Sequence, residues 1–402
     1  MRLIRKHILI ALIYFFTIAC LGLSLRLFAI FDIPANYKFL VHTHSHIALL
    51  GWVYTALMSL LMFLYCREKI KSRGYNLIFW FTQITIVGML FSFPFTGYAL
   101  FSIIFSSLFL IASYFFAAYF FKNVSKEDKK RASYKLVRAS IWFLIISSIG
   151  PWSLGYVMTA LGKTSPWYRN AIYFFLHFQY NGWFLLALTG IFLFLLEQKG
   201  FKLKNRIFRI VYYLLNSGIV LGLFLSGLWM KPAGIFYILA ALGGLLQLIA
   251  YYLLFRSVSA ERITEYLPKR TFNLFKIAAL LLAVKLFAQL AGAVPVVANM
   301  VTFNPDLVIA YLHWIFLGII SLSILAALDY HQLLTFGKIS FAIYIAGFIL
   351  TEILISYRGI GYRLGLPLPD NSLYIVLASI LLLMAVTKIL VSQFYLLKKT
   401  PK

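Results

Sequence analysis

The sequence predicts an all-α, polytopic transmembrane bundle of about twelve helices, and three observations carry that reading. Of 402 residues, 62% are hydrophobic and only 12% charged, with a mean hydropathy of +0.89; soluble domains run near 45–50% apolar and about 25% charged. Apolar runs close to the ~20 residues that cross a hydrocarbon core as a helix recur along the whole chain. The basic residues, Lys+Arg 37 against Asp+Glu 11, gather between those runs with a strong bias to one side. Spans of this length are helices, because lipid offers backbone groups no partner and barrel strands are far shorter.

In order, the spans are 8–31, 40–65, 76–95, 99–121, 136–160, 171–196, 207–229, 234–255, 272–296, 307–328, 337–357 and 372–396. With the N-terminus inside and the spans alternating, the inside segments first collect Arg2, Arg5, Lys6, Arg67, Lys69, Lys71, Arg73, Lys122, Lys126, Lys129, Lys130, Arg131, Lys135 and Arg138. Lys199, Lys202, Lys204, Arg206, Arg209, Arg256, Arg262, Lys269, Arg270, Lys276, Lys338, Lys398, Lys399 and Lys402 follow on the same side, which makes 28 of the 37. The outside loops hold Lys38, Lys163, Arg169, Lys231, Arg358 and Arg363. This is the positive-inside pattern, and it predicts a multi-pass protein of a bacterial inner (cytoplasmic) membrane with both termini cytoplasmic. The net charge of +26 is thus an orientation signal. Nucleic acid is excluded as a partner, since the basic residues are scattered over short loops with no recognisable binding fold; the partner is the lipid bilayer.

The first span opens like a signal peptide, with Arg2, Arg5 and Lys6 before apolar residues. The apolar run passes Cys20 without a small-residue cleavage site, and Thr17 is poorly suited to a lipoprotein cut before Cys20, so it reads as an uncleaved anchor. Cys20 and Cys66 make neither a disulfide framework nor a cysteine-ligated cluster. No linker divides the chain, which reads as a single transmembrane domain, 1–402; the longest loop, about 257–271, is too short to fold alone. No clear internal repeat is visible, which weighs against an inverted-repeat transporter.

Ionisable groups inside a bilayer are costly and mark functional candidates. Of seven histidines, His7 and His331 sit at span ends, while His42, His44, His46, His177 and His313 fall in spans two, six and ten. His46, His177 and His313 each lie about six residues past the outer start of their span, roughly 9 Å deep at 1.5 Å per residue, so three even-numbered spans place a histidine in one layer. Histidine is the commonest protein ligand of transition metals and a frequent axial ligand of haem. Successive helical residues turn about 100°, so His44 points ~160° away from His46 while His42 lies ~40° from it. Either His44 and His46 serve different cofactors, or one supports the other's ligand; His42 reads as interfacial. Gly51, beyond His46, permits a close approach by a neighbouring helix or a macrocycle.

His44-Ser45-His46-Ile47-Ala48-Leu49-Leu50-Gly51-Trp52 resembles the H-x-H-x-x-L-L-G-W pattern in span two of haem-copper oxidase subunit I relatives, and the related H-x-H pattern of NnrS-type haem-copper membrane proteins of nitric oxide metabolism. That resemblance implies a cytochrome oxidase subunit I-like bundle, with a low-spin haem b held by His46 and His313 between spans two and ten. Tyr311 stands where those relatives carry the ligand of a high-spin haem, and His44 remains ambiguous. His177, in Leu176-His177-Phe178-Gln179-Tyr180-Asn181-Gly182-Trp183, is similar to the span-six segment of nitric oxide reductases, with Asn181 in place of the acid. By resemblance it would hold copper or another transition metal. Span seven has no histidine pair, so the copper site is incomplete.

The expected role is therefore electron transfer or handling of nitric oxide or another small gas, with redox partner subunits, rather than complete oxygen reduction. The alternatives are a cofactor-free transporter or channel with a histidine-lined path, and a non-catalytic assembly or metal-delivery protein. Tyr180 is a candidate proton donor one turn from His177, against the reading of an ordinary core tyrosine. Lys285, near the middle of span nine, is a candidate proton relay, or a cation for a haem propionate or Glu352. Glu352 reads equally as a loop-facing acid. Gln83, Gln247 and Gln289 read as bridges between helices, and Trp152, Trp167, Tyr168 and Trp229 as interfacial anchors.

Overall fold

The computed structural model describes residues 1–258, 263, 265–366 and 370–398, which form helices and no strand. Arg262, Lys399 and Lys402 of the basic tally lie outside the described residues. Among the described residues twelve helices are long and apolar enough to cross a membrane, and they follow the hydropathy reading span for span. They are α1 (Arg2–Leu27), α2 (Tyr37–Tyr65), α3 (Arg73–Thr96), α4 (Leu100–Asn123), α5 (Ala132–Leu161), α6 (Pro166–Glu197), α7 (Asn205–Met230), α8 (Gly234–Ser257), α9 (Lys269–Ala291), α10 (Pro305–Tyr330), α11 (Lys338–Leu364) and α12 (Ser372–Lys398). The chain is a multi-pass membrane protein.

The ends differ from the hydropathy limits where local chemistry outweighs composition. α6 starts earlier, because Ser165 caps it by accepting from the Trp167 N–H and Pro166 occupies the first helical position, where a missing N–H costs nothing. α9 stops at Ala291, since Gly292 ends it and Pro295 opens a separate short helix, Pro295–Val301. α11 runs past its apolar stretch to Leu364 and ends at Gly365, whose φ of 65° is the left-handed conformation that glycine adopts at little cost. That extension corrects the loop-facing reading of Glu352, which is buried inside α11 at 5% exposure.

The contacts divide the chain into two units, Met1–Ser125 with Leu328–Lys402, and Lys126–Ala327. In the first, α1 packs on α12 and on α2, α3 pairs with α4, and α11 with α12. In the second, α5 pairs with α6, α7 with α8, α8 with α9, and α9 with α10. α2 and α6 are the most enclosed helices, 89% and 94% buried over their apolar windows, against 33–39% for most others. A helix apolar on every side belongs to an interior, and these two carry His42, His44, His46 and His177.

His331 follows α10 in a segment pinned by the Arg5 guanidinium, which donates to the Gln332 carbonyl at 3.2 and 2.8 Å, and by the Gln393 amide on the Leu333 carbonyl at 3.0 Å. Its ring meets Phe63 edge-on at 5.2 Å, and its Nε2 has no partner. Burial, helped by the Arg67 charge, lowers its pKa from 6.5 to about 4. The folded state thus resists a proton that the unfolded chain accepts. The stability is fully present above the unfolded value and is lost as pH falls toward the folded one. Melting in detergent is expected to weaken by roughly 2 kcal/mol between about pH 7 and pH 5. His331→Phe should flatten that slope, and an unchanged slope in the variant would reject the assignment.

Candidate functional site

One local design recurs on the three helices that carry His46, His177 and His313. Each histidine ends an α-helical segment, of 10, 12 and 9 residues respectively. Each is followed at once by a π-helical segment: Ile47–Tyr54, Phe178–Leu185 and Trp314–Ile320. π-Helix is rare and occurs mainly as short insertions, frequently at functional sites. Each segment holds a buried glycine five residues past its histidine: Gly51, Gly182 and Gly318. A Cβ on Gly51 would lie 2.9 Å from Cγ of Tyr14 on α1, and one on Gly182 would lie 2.5 Å from Cβ of Phe143 on α5. In both units, therefore, the preceding helix seats an aromatic side chain on that glycine.

In the first unit, His46 sits one turn beyond His42 and donates Nδ1–H to its carbonyl at 2.8 Å. That bond fixes the tautomer and leaves Nε2 with its lone pair, which accepts from the Tyr98 hydroxyl at 3.2 Å. Phe93 covers the ring at 4.4 Å. His44 faces the other way, as helical geometry requires. Its ring lies over Gly22 of α1 and bonds the Ile18 carbonyl, while its Nδ1 is buried without a hydrogen-bond partner. Each thus anchors one ring nitrogen on a backbone carbonyl and keeps a lone pair on the other, His44 on Nδ1 and His46 on Nε2.

In the second unit, His177 on α6 is buried at 2% exposure and both of its ring nitrogens are engaged. Asn181, four residues on and hence on the same face, donates to Nδ1 at 3.2 Å, so Nε2 carries the proton and donates to the Ile219 carbonyl at 2.8 Å. That carbonyl is available because α7 tightens to 3₁₀ geometry from Leu223 onward. The Leu223 N–H, which would serve Ile219 in an α-helix, bonds the Val220 carbonyl instead. Gly222 allows the approach: a Cβ there would lie 3.3 Å from His177 Cε1 and 3.2 Å from the side-chain nitrogens of Gln247 and Gln289.

Lys285 of α9 closes the network. It is 1% exposed, and its Nζ donates to Asn181 Oδ1 at 2.6 Å and to Gln289 Oε1 at 2.5 Å. Both partners are neutral amides. Tyr180 shares hydrogen bonds with Asn181 and Tyr311, the two tyrosine rings meeting edge-on at 6.4 Å. His177, Tyr180, Lys285 and Tyr311 thus join one hydrogen-bonded array, in which His177 and Lys285 are buried and the two tyrosines half-buried. His313 lies at the end of the first segment of α10, where the next residue, Trp314, donates to the Leu281 carbonyl of α9 at 2.9 Å. Gln247 ties α8 to the Gly218 carbonyl of α7, as a bridging glutamine should, whereas Gln289 binds Lys285 of its own helix. Trp152 and Trp167 are exposed, while Trp229 faces the Arg169 guanidinium at 4.5 Å.

Sequence reasoning missed Asn181 as the hub and the paired Lys285 and Gln289, although four-residue spacing on a helix could have found both. Nothing in the sequence pointed to Tyr98 or to the Ile219 carbonyl. No protein-family model and no curated protein matches the sequence.

Proposed function

We propose that this multi-pass membrane protein binds haem b, with His46 as an axial ligand, and serves electron transfer or the handling of a small gas such as nitric oxide. The observation that carries this reading is the state of His46. Its Nδ1–H is anchored on a backbone carbonyl and its Nε2 lone pair is presented, the arrangement in which a supported imidazole ligates a metal. The residues fit the group on one condition: the Tyr98 hydroxyl gives up its bond to Nε2. Haem b, when bound, supplies a one-electron centre whose potential depends on its axial ligands. The His42 carbonyl orients the His46 ring and makes Nε2 more basic, and Phe93 keeps water from it. The π-helical segment that follows His46 gives additional support to the assignment.

Visible spectra of the purified protein, oxidised and then reduced with dithionite, test the proposal. The wild type should show a sharp Soret band and an α band, and His46→Ala should lose them while remaining monodisperse. A colourless, folded wild type from haem-replete cells would reject haem and favour a cofactor-free carrier built on the Lys285 array.

A further inference from the structure

The array on α6, α7 and α9 has the wrong donors for a transition metal. Both ring nitrogens of His177 are already committed, one to an amide N–H and one to a carbonyl. Its remaining oxygens belong to the neutral amides Asn181 and Gln289. Among the described residues no three His, Cys, Asp or Glu side chains converge to hold an ion. Transition metals select imidazole or thiolate, whereas amide oxygens suit hard or organic cations.

We propose that this site carries its own cation: the Lys285 ammonium occupies the place of a metal ion, held by Asn181 Oδ1 and Gln289 Oε1. Four observations support it. The Lys285 head donates to both amide oxygens at once, at 2.6 and 2.5 Å. Lys285 is 1% exposed in the middle of a spanning helix, where a lysine is costly unless its head is held. Asn181 passes the interaction to His177, donating to the same ring nitrogen a metal would require. Among the described residues no carboxylate accepts from Lys285, so the positive charge is not cancelled there and can act as a bound metal's charge would. The site then takes a single tethered alkylammonium and excludes divalent metal.

Metal analysis and chemical rescue test this together. Wild-type protein and His177→Ala are exposed to Cu(II), Zn(II) or Mn(II), desalted, and assayed for bound metal, with haem iron subtracted from the pyridine haemochrome. The expected result is no non-haem metal that depends on His177; about one equivalent in the wild type that His177→Ala loses would overturn the proposal. Lys285→Ala is expected to melt roughly 5 °C or more below the wild type, and added propylammonium should restore about half of that, whereas sodium at equal ionic strength should not. Wild-type melting in Lys285→Ala, or equal effects of propylammonium and sodium, would overturn it. If Lys285→Ala does not fold, the metal assay of the wild type, which needs no change at Lys285, decides. The proposal is independent of haem: a colourless protein that also lacks metal would reject haem binding while supporting the tethered cation.

Discussion

Gly243→Ala is expected to prevent stable folding of this protein, while Gly244→Ala, one residue away, is expected to be tolerated. α7 and α8 meet at Gly218 and Gly222 on one side and Gly243 on the other. A Cβ on Gly243 would lie 2.4 Å from the Gly222 backbone nitrogen and 2.7 Å from the Leu221 carbonyl carbon. Those atoms belong to a helix backbone and cannot rotate away as a side chain would. The helices would have to separate, stretching the 2.9 Å bond from Gln247 to the Gly218 carbonyl and withdrawing the wall of the His177 pocket. Small residues allow this closeness where lipid provides no hydrophobic drive between helices. Overpacking against backbone should cost roughly 3 kcal/mol or more. At Gly244 the nearest atom to a new Cβ is Leu290 Cα at 3.5 Å, an ordinary contact, and alanine improves helix propensity by up to about 1 kcal/mol. Yield of monodisperse protein and melting temperature in detergent separate the two. Equal behaviour of the variants would show that the α7–α8 contact is not the constraint described.

Asn181→Leu should be the most damaging polar-to-apolar change in the second unit. It deprives Lys285 of one of two acceptors and His177 of its donor at once, leaving two buried groups short of a partner. Each orphaned polar group costs about 1–3 kcal/mol, and more where charge is involved, so the expected loss is roughly 3–5 kcal/mol. Asn181→Asp keeps an oxygen on Lys285 and loses only the donor to His177 Nδ1, so less than half of that loss is expected. Thermal melts of both variants measure the difference. A leucine variant as stable as the aspartate one would mean that Asn181 is a packing residue and the array carries little energy.

Much of this was readable residue by residue. Hydropathy located all twelve helices because a bilayer demands length and apolarity, two properties that composition records directly. The opposite directions of His44 and His46 followed from about 100° per residue, and the structure shows them bonded to Ile18 and His42 carbonyls on different helices. Helix limits were less legible, because Ser165, Pro295 and Gly365 act through backbone hydrogen bonds and dihedrals that an average over apolar residues does not register.

By itself, then, the sequence determined the membrane class, the number of spans and the residues worth watching, His46, His177, Lys285 and His313, since each is a local property of a short stretch. Only the tertiary structure decided what those residues can do. Lys285 meets Asn181 across 104 positions, and His177 meets the Ile219 carbonyl across 42. The second meeting depends on helix packing at Gly222 and on a carbonyl freed by a change of helix type. A histidine's usefulness as a ligand lies in which nitrogen keeps its lone pair. That is set by the acceptor opposite the other nitrogen, which for His177 belongs to a different helix.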